Sequence, residues 1–172
     1  MVRKILTAFY IATLVLCAGF VSSEEKETKP PKPRFERSEL AIRDNKSGLI
    51  WLLNANIPER TLSWDGAQDY TEGLNRDKFA GYSDWRVPSL EELETLIAHV
   101  KLLGFDGSTP ERTVAAGLRS MGIRNVQPDG YWSSTSYFFH SAEAWYVSMT
   151  NGAGDLGDKT LYFSIWPVRS VR

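Results

Sequence analysis

Few residues in this chain are arranged for bond-making chemistry. His99 and His140 are its only two histidines. Neither has a partner at metal-ligand spacing such as H-E-x-x-H. His99 lies on a helical stripe just after Leu96 and reads as a half-buried or exposed helix residue. His140 closes the run Tyr137-Phe138-Phe139-His140, where it can reach a ligand. Ser133 and Ser134 follow Trp132, but a serine nucleophile needs a base, and none is evident. There is no G-x-S-x-G elbow, phosphate loop or dinucleotide fingerprint. No two carboxylates stand out as an acid–base couple. The sequence predicts no catalytic residues, no cofactor and no enzyme.

Binding chemistry has better candidates. Asn151 to Asp158 places oxygen ligands among glycines, which can suit calcium. It lacks the EF-hand pattern, and a plain hairpin loop is the favoured reading, so no metal is predicted. Tyr137, Phe138 and Phe139 stand between two strand-like runs. Three consecutive aromatics in a loop cannot all point inward. Either they present rings that stack on sugars or anchor a protein interface, or the loop folds back over the sheet. The predicted ligand-binding set is Tyr137, Phe138, Phe139, His140, Asn151, Asp155 and Asp158.

Composition bounds the class. The 172 residues suit one domain plus extras. The 42% hydrophobic and 24% charged fractions exclude a wholly disordered chain, a fibre and a multi-span membrane protein. A single cysteine excludes a disulfide scaffold and a cysteine-rich zinc site. The net charge of −1 divides unevenly. Residues 1–23 carry +2, residues 24–37 carry +1, and residues 38–172 carry −4. A mildly acidic domain weighs against nucleic acid as a partner.

Arg3 and Lys4, the uncharged run from Ile5 to Val21, and Ser22-Ser23 have the layout of a signal peptide over residues 1–23. Cleavage is expected after Ser23. Lipidation at Cys17 and an uncleaved anchor are the alternatives; no other membrane contact is predicted. Each places the rest of the chain outside the cytoplasm. Residues 24–38, rich in proline, lysine and glutamate, read as an extended spacer. The domain is expected over residues 39–172.

The elements that must position these residues follow from pattern. Ala41–Arg43 and Leu49–Leu53 read as strands around a turn. Ser63 caps a helix predicted from Trp64 to Asn75. Ser89 and Glu92 form a capping box ahead of an apolar stripe from Leu90 to Val100. Thr109-Pro110 is expected to start a short helix ending near Met121. Strands are predicted at Tyr131–Ser136, Ala144–Met149, Leu161–Ile165 and Val168–Val171. Helices first and strands later give an α+β class, with two main helices packed on a twisted antiparallel sheet. Most tryptophans should be core.

Several motifs resemble one family. Ser47-Gly48-Leu49-Ile50-Trp51 is similar to T-G-L-M-W, and Ser63-Trp64-Asp65 with Ala67 to T-W-D-x-A. The run from Gly81 to Pro88, with Asp84, Trp85 and Arg86, resembles G-Y-S-D-W-R-L-P. Tyr131-Trp132-Ser133-Ser134-Thr135 resembles Y-W-S-S-T, and Ala144-Trp145-Tyr146-Val147 resembles A-W-Y-V. Val168-Arg169-Ser170-Val171-Arg172 looks like V-R-x-V-R. These belong to the Lcl C-terminal domain family of bacterial exported proteins.

The resemblance implies a C-type-lectin-like fold and an adhesion role. It assigns Trp51, Gly81, Asp84, Trp85, Arg86, Pro88, Trp132, Ser133, Ser134 and Trp145 to a structural motif. The family often has cysteines where this chain has Thr71 and Pro167. Calcium-lectin motifs E-P-N and W-N-D are missing. Formylglycine-generating-type proteins share the implied fold, but their cysteine and histidine sets are not here. The resemblance also implies sulfated-glycan binding, against which the acidic domain weighs. A glycan or an envelope protein is the expected partner; the oligomeric state is left open.

Overall fold

A computed structural model describes residues 32–171. The expected signal peptide, Cys17, Ser23 and the first part of the spacer lie outside the described residues. The described part is α+β, with three α-helices and two antiparallel sheets. No helix among the described residues is long and apolar enough to cross a membrane.

The first sheet joins β1 (Phe35–Arg37), β2 (Ala41–Asp44), β3 (Leu49–Leu52) and β7 (Val168–Ser170), in that order. β1 corrects the expected spacer, which ends before Phe35. The backbone of Phe35–Arg37 pairs with β2. The Arg34 guanidinium grips the buried Asp44 carboxylate at 3.1 and 2.9 Å. Phe35 packs its ring 5.2 Å from that of His99. Backbone pairing, one aromatic contact and one ion pair together hold a segment whose composition reads as linker.

The helices follow their caps. Ser63 accepts from Gly66 N and starts α1 (Trp64–Arg76). The capping box of Ser89 and Glu92 starts α2 (Leu90–Leu102), which buries Leu93, Leu96, Ile97 and Val100. The third start is corrected. Pro110–Arg112 is one 3-10 turn, and Thr113, not Thr109, caps α3 (Val114–Ser120). Thr113 takes an extended conformation (φ −64°, ψ 152°), which interrupts the helix after the proline turn.

The single sheet expected from sequence is two. The second joins β4 (Gly130–Ser136), β5 (Glu143–Ser148) and β6 (Gly154–Asp158). β6 corrects the loop expected over Asn151–Asp158. Glycine disfavours strands intrinsically, which hid β6 in the sequence. Packing explains Gly157: a Cβ there would stand 3.2–3.3 Å from Phe163, Tyr146 and Trp132. The strand expected at Leu161–Ile165 is instead two isolated bridges, Leu62 to Phe163 and Tyr131 to Ser164. Its backbone changes partner from one residue to the next, and Pro167 follows at once.

Trp51, Trp85, Trp132 and Trp166 are fully buried. Trp51 and Trp166 tilt against each other at 4.9 Å in the larger core cluster, and Trp132 anchors a smaller one with Ala67, Val87, Ala144 and Ile165. Trp145 is only half buried.

Candidate binding site

The β4–β5 connection is held by its own backbone. Tyr137 N donates to Glu143 O at 2.9 Å, and Glu143 N donates to His140 O at 3.0 Å. The pinched loop leaves the middle residues no sheet to cover. Phe138 is 90% exposed and Phe139 80%. Tyr137, half buried, sets its ring perpendicular to Trp145 at 6.3 Å and 89°. Phe139 meets Tyr137 at 5.6 Å, and Phe138 meets Phe139 at 5.2 Å. Both readings of the loop are realised in part: Tyr137 folds back on the sheet, and the two phenylalanines face water.

Strand alternation decides what surrounds the rings. Glu143 and Trp145 are two apart on β5, so they share a face. Asp158 is the direct cross-strand partner of Glu143. His140 Nδ1 stands 3.7 Å from Glu143. Asp158 accepts from Thr160 Oγ1 at 2.6 Å and Thr160 N at 2.9 Å, bonds that hold its carboxyl below the usual range. Tyr137, Trp145, Glu143, Asp158 and His140 therefore gather at one end of the second sheet.

The rest of the predicted ligand set disperses. Asp155 opposes Tyr146, on the other face of the sheet, with Tyr146 Oη 3.5 Å from its carboxylate. Burial and the nearby Asp155 push that phenol up. Asn151 lies past the other end of β5, where its Oδ1 accepts from Ala153 N. A six-residue strand is roughly 17–20 Å long. The two loops expected to cooperate are thus at opposite ends of β5, and only Asp158 joins the aromatic end. Among the described residues no group of three His, Cys, Asp or Glu could hold a metal ion.

The motif residues build the frame. Trp85 exchanges backbone-to-amide hydrogen bonds with the Asn75 side chain at 2.7 and 2.8 Å, and its Nε1 donates to Phe79 O. Gly81 takes a positive φ of 81° in the turn before it. Arg86 forms a two-point pair with Glu92 at 2.7 and 2.6 Å. Pro88 O accepts from Ser134 N. Trp132 Nε1 donates to Leu62 O. Ser133 Oγ donates to Trp145 O at 2.8 Å, tying β4 to β5 behind the aromatic end.

Two residues at this end carry no ligand assignment in the sequence: Trp145 reads as scaffold, and Glu143 lies in no motif. Their two-residue spacing next to the aromatic loop was the available signal, because a strand puts both on one face. Two open grooves were also not legible. One, of about 470 Å³, lies along Glu36–Ala41, Arg43, Ile50 and Tyr82. The other, of about 450 Å³, lies along Leu40, Leu52–Asn54, Ile57 and Arg124. Both sit beside the first sheet and include none of the aromatic-end residues.

The family model described as Lcl C-terminal domain matches residues 40–169. β1 precedes the matched residues. No curated protein matches the chain.

Proposed function

The chain belongs to the Lcl C-terminal domain family, and from that premise we propose an exported, non-enzymatic binding module that recognises a glycan or surface polymer in an adhesion-type role. The aromatic end of the second sheet is its contact surface, on a C-type-lectin-like fold. The signal-peptide layout of residues 1–23 supports export.

One observation carries the reading. Phe138 and Phe139 are 90% and 80% exposed on a loop whose backbone is fixed at both ends. Rings held in water beside carboxylates fit a ligand with apolar faces and hydroxyl or amino groups, as sugars have. Two side chains able to do acid–base or nucleophilic chemistry are engaged in packing or in the sheet, in keeping with the non-enzymatic part. His99 packs on Phe35, and the Ser133 hydroxyl is engaged by Trp145 O.

The test is a glycan array and a polysaccharide pull-down with the protein and its Phe138→Ala/Phe139→Ala variant. Both residues are exposed, so stability should change by no more than about 0.5 kcal/mol each. Binding that disappears in the variant supports the site. Binding unchanged in the variant, or no binding at all, overturns it.

A second reading, an assembly module of the envelope, is favoured by the ring angles. Phe138 and Phe139 meet at 85° and Tyr137 and Trp145 at 89°, so they form no single flat plane. Crosslinking in cells that recovers one protein partner, with no competition by sugars, would favour it.

A further inference from the structure

Among the described residues, Arg34, Arg43, Arg86 and Arg169 are the arginines wholly or partly withdrawn from solvent. Three of them grip a carboxylate through two nitrogens: Arg34 holds Asp44, Arg86 holds Glu92 and Arg169 holds Asp84. Arg43 does not. Its Nε is buried without an acceptor, and its two terminal nitrogens, open to solvent, have no protein acceptor either. Burying a donor of a charged group unpaired is costly, so native folds seldom leave one. Trp51, Asn56 and Gln68 also bury one unpaired polar atom each, but none of the three lines either groove beside the first sheet.

Arg43 lines the groove of about 470 Å³. That volume lies within the roughly 300–1,000 Å³ of small-molecule pockets. Strand register sets its surroundings. Glu36, Arg43, Ile50 and Arg169 form one row across the four strands, so they share a face of the sheet. Arg169 is already neutralised by Asp84 and lies against the Tyr82 ring, which lines the groove. Arg37, next to Glu36 on β1, points to the opposite face and seats its guanidinium against Gly122. Arg43 is thus the cation left for a ligand. Leu40, Ile50, Ala80 and Tyr82 give the groove apolar walls. Ala80 holds a left-handed φ of 53°, a conformation that strains a residue with a Cβ and recurs at ligand sites.

We infer that this groove binds a small organic monocarboxylate with an apolar body. The ligand's carboxylate accepts from the terminal nitrogens of Arg43, as Asp44, Glu92 and Asp84 do from the other three arginines. Its body lies on Leu40, Ile50, Ala80 and Tyr82. Glu36 and Glu39 line the same groove and repel a second negative charge, which sets a monoacid apart from a diacid. The site shares no residue with the aromatic end of the second sheet and goes beyond the function proposed above. Residues 36–39 of its wall precede those matched by the family model.

The experiment titrates the full chain with hexanoate, with its neutral analogue hexanamide and with the diacid adipate. The backbone amides of Arg43 and Ile50 and the Arg43 Nε–H are followed by NMR. Hexanoate should shift all three saturably, and hexanamide and adipate should each bind about tenfold more weakly. From butanoate to octanoate each added methylene should tighten binding about threefold to fourfold. Arg43→Gln should bring hexanoate down to the level of hexanamide; if that variant unfolds, the comparison of acid, amide and diacid on the unchanged protein decides. Leu40→Ala, an exposed change, should weaken hexanoate several-fold. Equal binding of hexanoate and hexanamide overturns the inference, as does adipate binding as tightly as hexanoate. So does hexanoate binding indifferent to a folded Arg43→Gln variant, or no shift with any acid of the series. Binding of acetyl-leucyl-alanine but not of hexanoate overturns the small acid in favour of a peptide terminus. The Phe138→Ala/Phe139→Ala variant should bind hexanoate unchanged, so this site and the aromatic contact surface stand or fall separately.

Discussion

Arg169 on β7 holds Asp84, 85 residues earlier, through two hydrogen bonds of 2.7 and 3.2 Å. Its guanidinium also lies 3.9 Å from the centre of the Tyr82 ring. One side chain thus clamps the loop before α2 to the last strand. The clamp is reinforced by the paired backbones of Arg86 and Val168, each donating to the other at 2.9 Å.

Removing that clamp should destabilise the domain. Arg169 is only 7% exposed. Arg169→Met should cost about 3 kcal/mol, the low end for breaking a buried pair, because Asp84 keeps some contact with water. Arg169→Lys should recover less than half of the loss, since an ammonium cannot form the planar fork. Urea unfolding midpoints check both; a loss below about 1 kcal/mol for Arg169→Met would refute the clamp.

Stability should fall on acidification, through two carboxylates. Burial pushes Glu92 up, but hydrogen bonds and charge from Arg86, with bonds from Ser89, outweigh it and hold the carboxyl below its ordinary 4.5. Asp44 behaves alike: burial raises it, Arg34 and the turn at Lys46 lower it further, and the net lies below 3.8. Both groups are more acidic folded than unfolded, so the unfolded chain binds more protons in this window. Their contribution is full above the ordinary values of 4.5 and 3.8 and is lost as pH falls through the lower folded ones. Glu92→Gln keeps the capping geometry and should flatten the dependence below pH 4.5. An identical acid profile for the variant would refute the assignment.

Two glycines with positive φ should respond differently to alanine. Gly107 has φ +82°, and a Cβ there would lie 2.6 Å from Asn151 Cα and 2.9 Å from Thr150 O. Gly107→Ala should cost more than about 2 kcal/mol, from backbone strain and overpacking together. Gly81 has φ +81° with nothing within 4 Å of a Cβ. Gly81→Ala should cost about 1 kcal/mol from strain alone. Thermal unfolding of the pair measures the difference; equal costs would show that Gly107 does not seat the Asn151 turn.

Local signals in the sequence were legible where they depend on a few neighbours. Ser63, Ser89 and Glu92 mark their helix starts because a cap needs only the next three residues. The apolar stripe of α2 reads directly as its buried face. The motifs around Trp51, Trp85 and Trp132 name the family, and these tryptophans are core as composition suggests.

What tertiary structure decided are the pairings that local pattern cannot express. β6 pairs its backbone with β5 although two of its five residues are glycines, and at Gly157 the rings of Phe163, Tyr146 and Trp132 leave little room for a side chain. β1 pairs with β2, and Asp44 and His99, distant in sequence, meet Arg34 and Phe35 beside it. Leu161–Ile165 has strand-like composition, yet its neighbours give it two half-ladders in place of one. The site follows the same rule. The sequence determined that Tyr137, Phe138 and Phe139 could not all be buried. Only the fold decided that Trp145, Glu143 and Asp158 stand beside them while Asn151 lies at the far end of β5. The strand register sets those neighbours, and it is fixed by packing of the whole sheet rather than by any short stretch of chain.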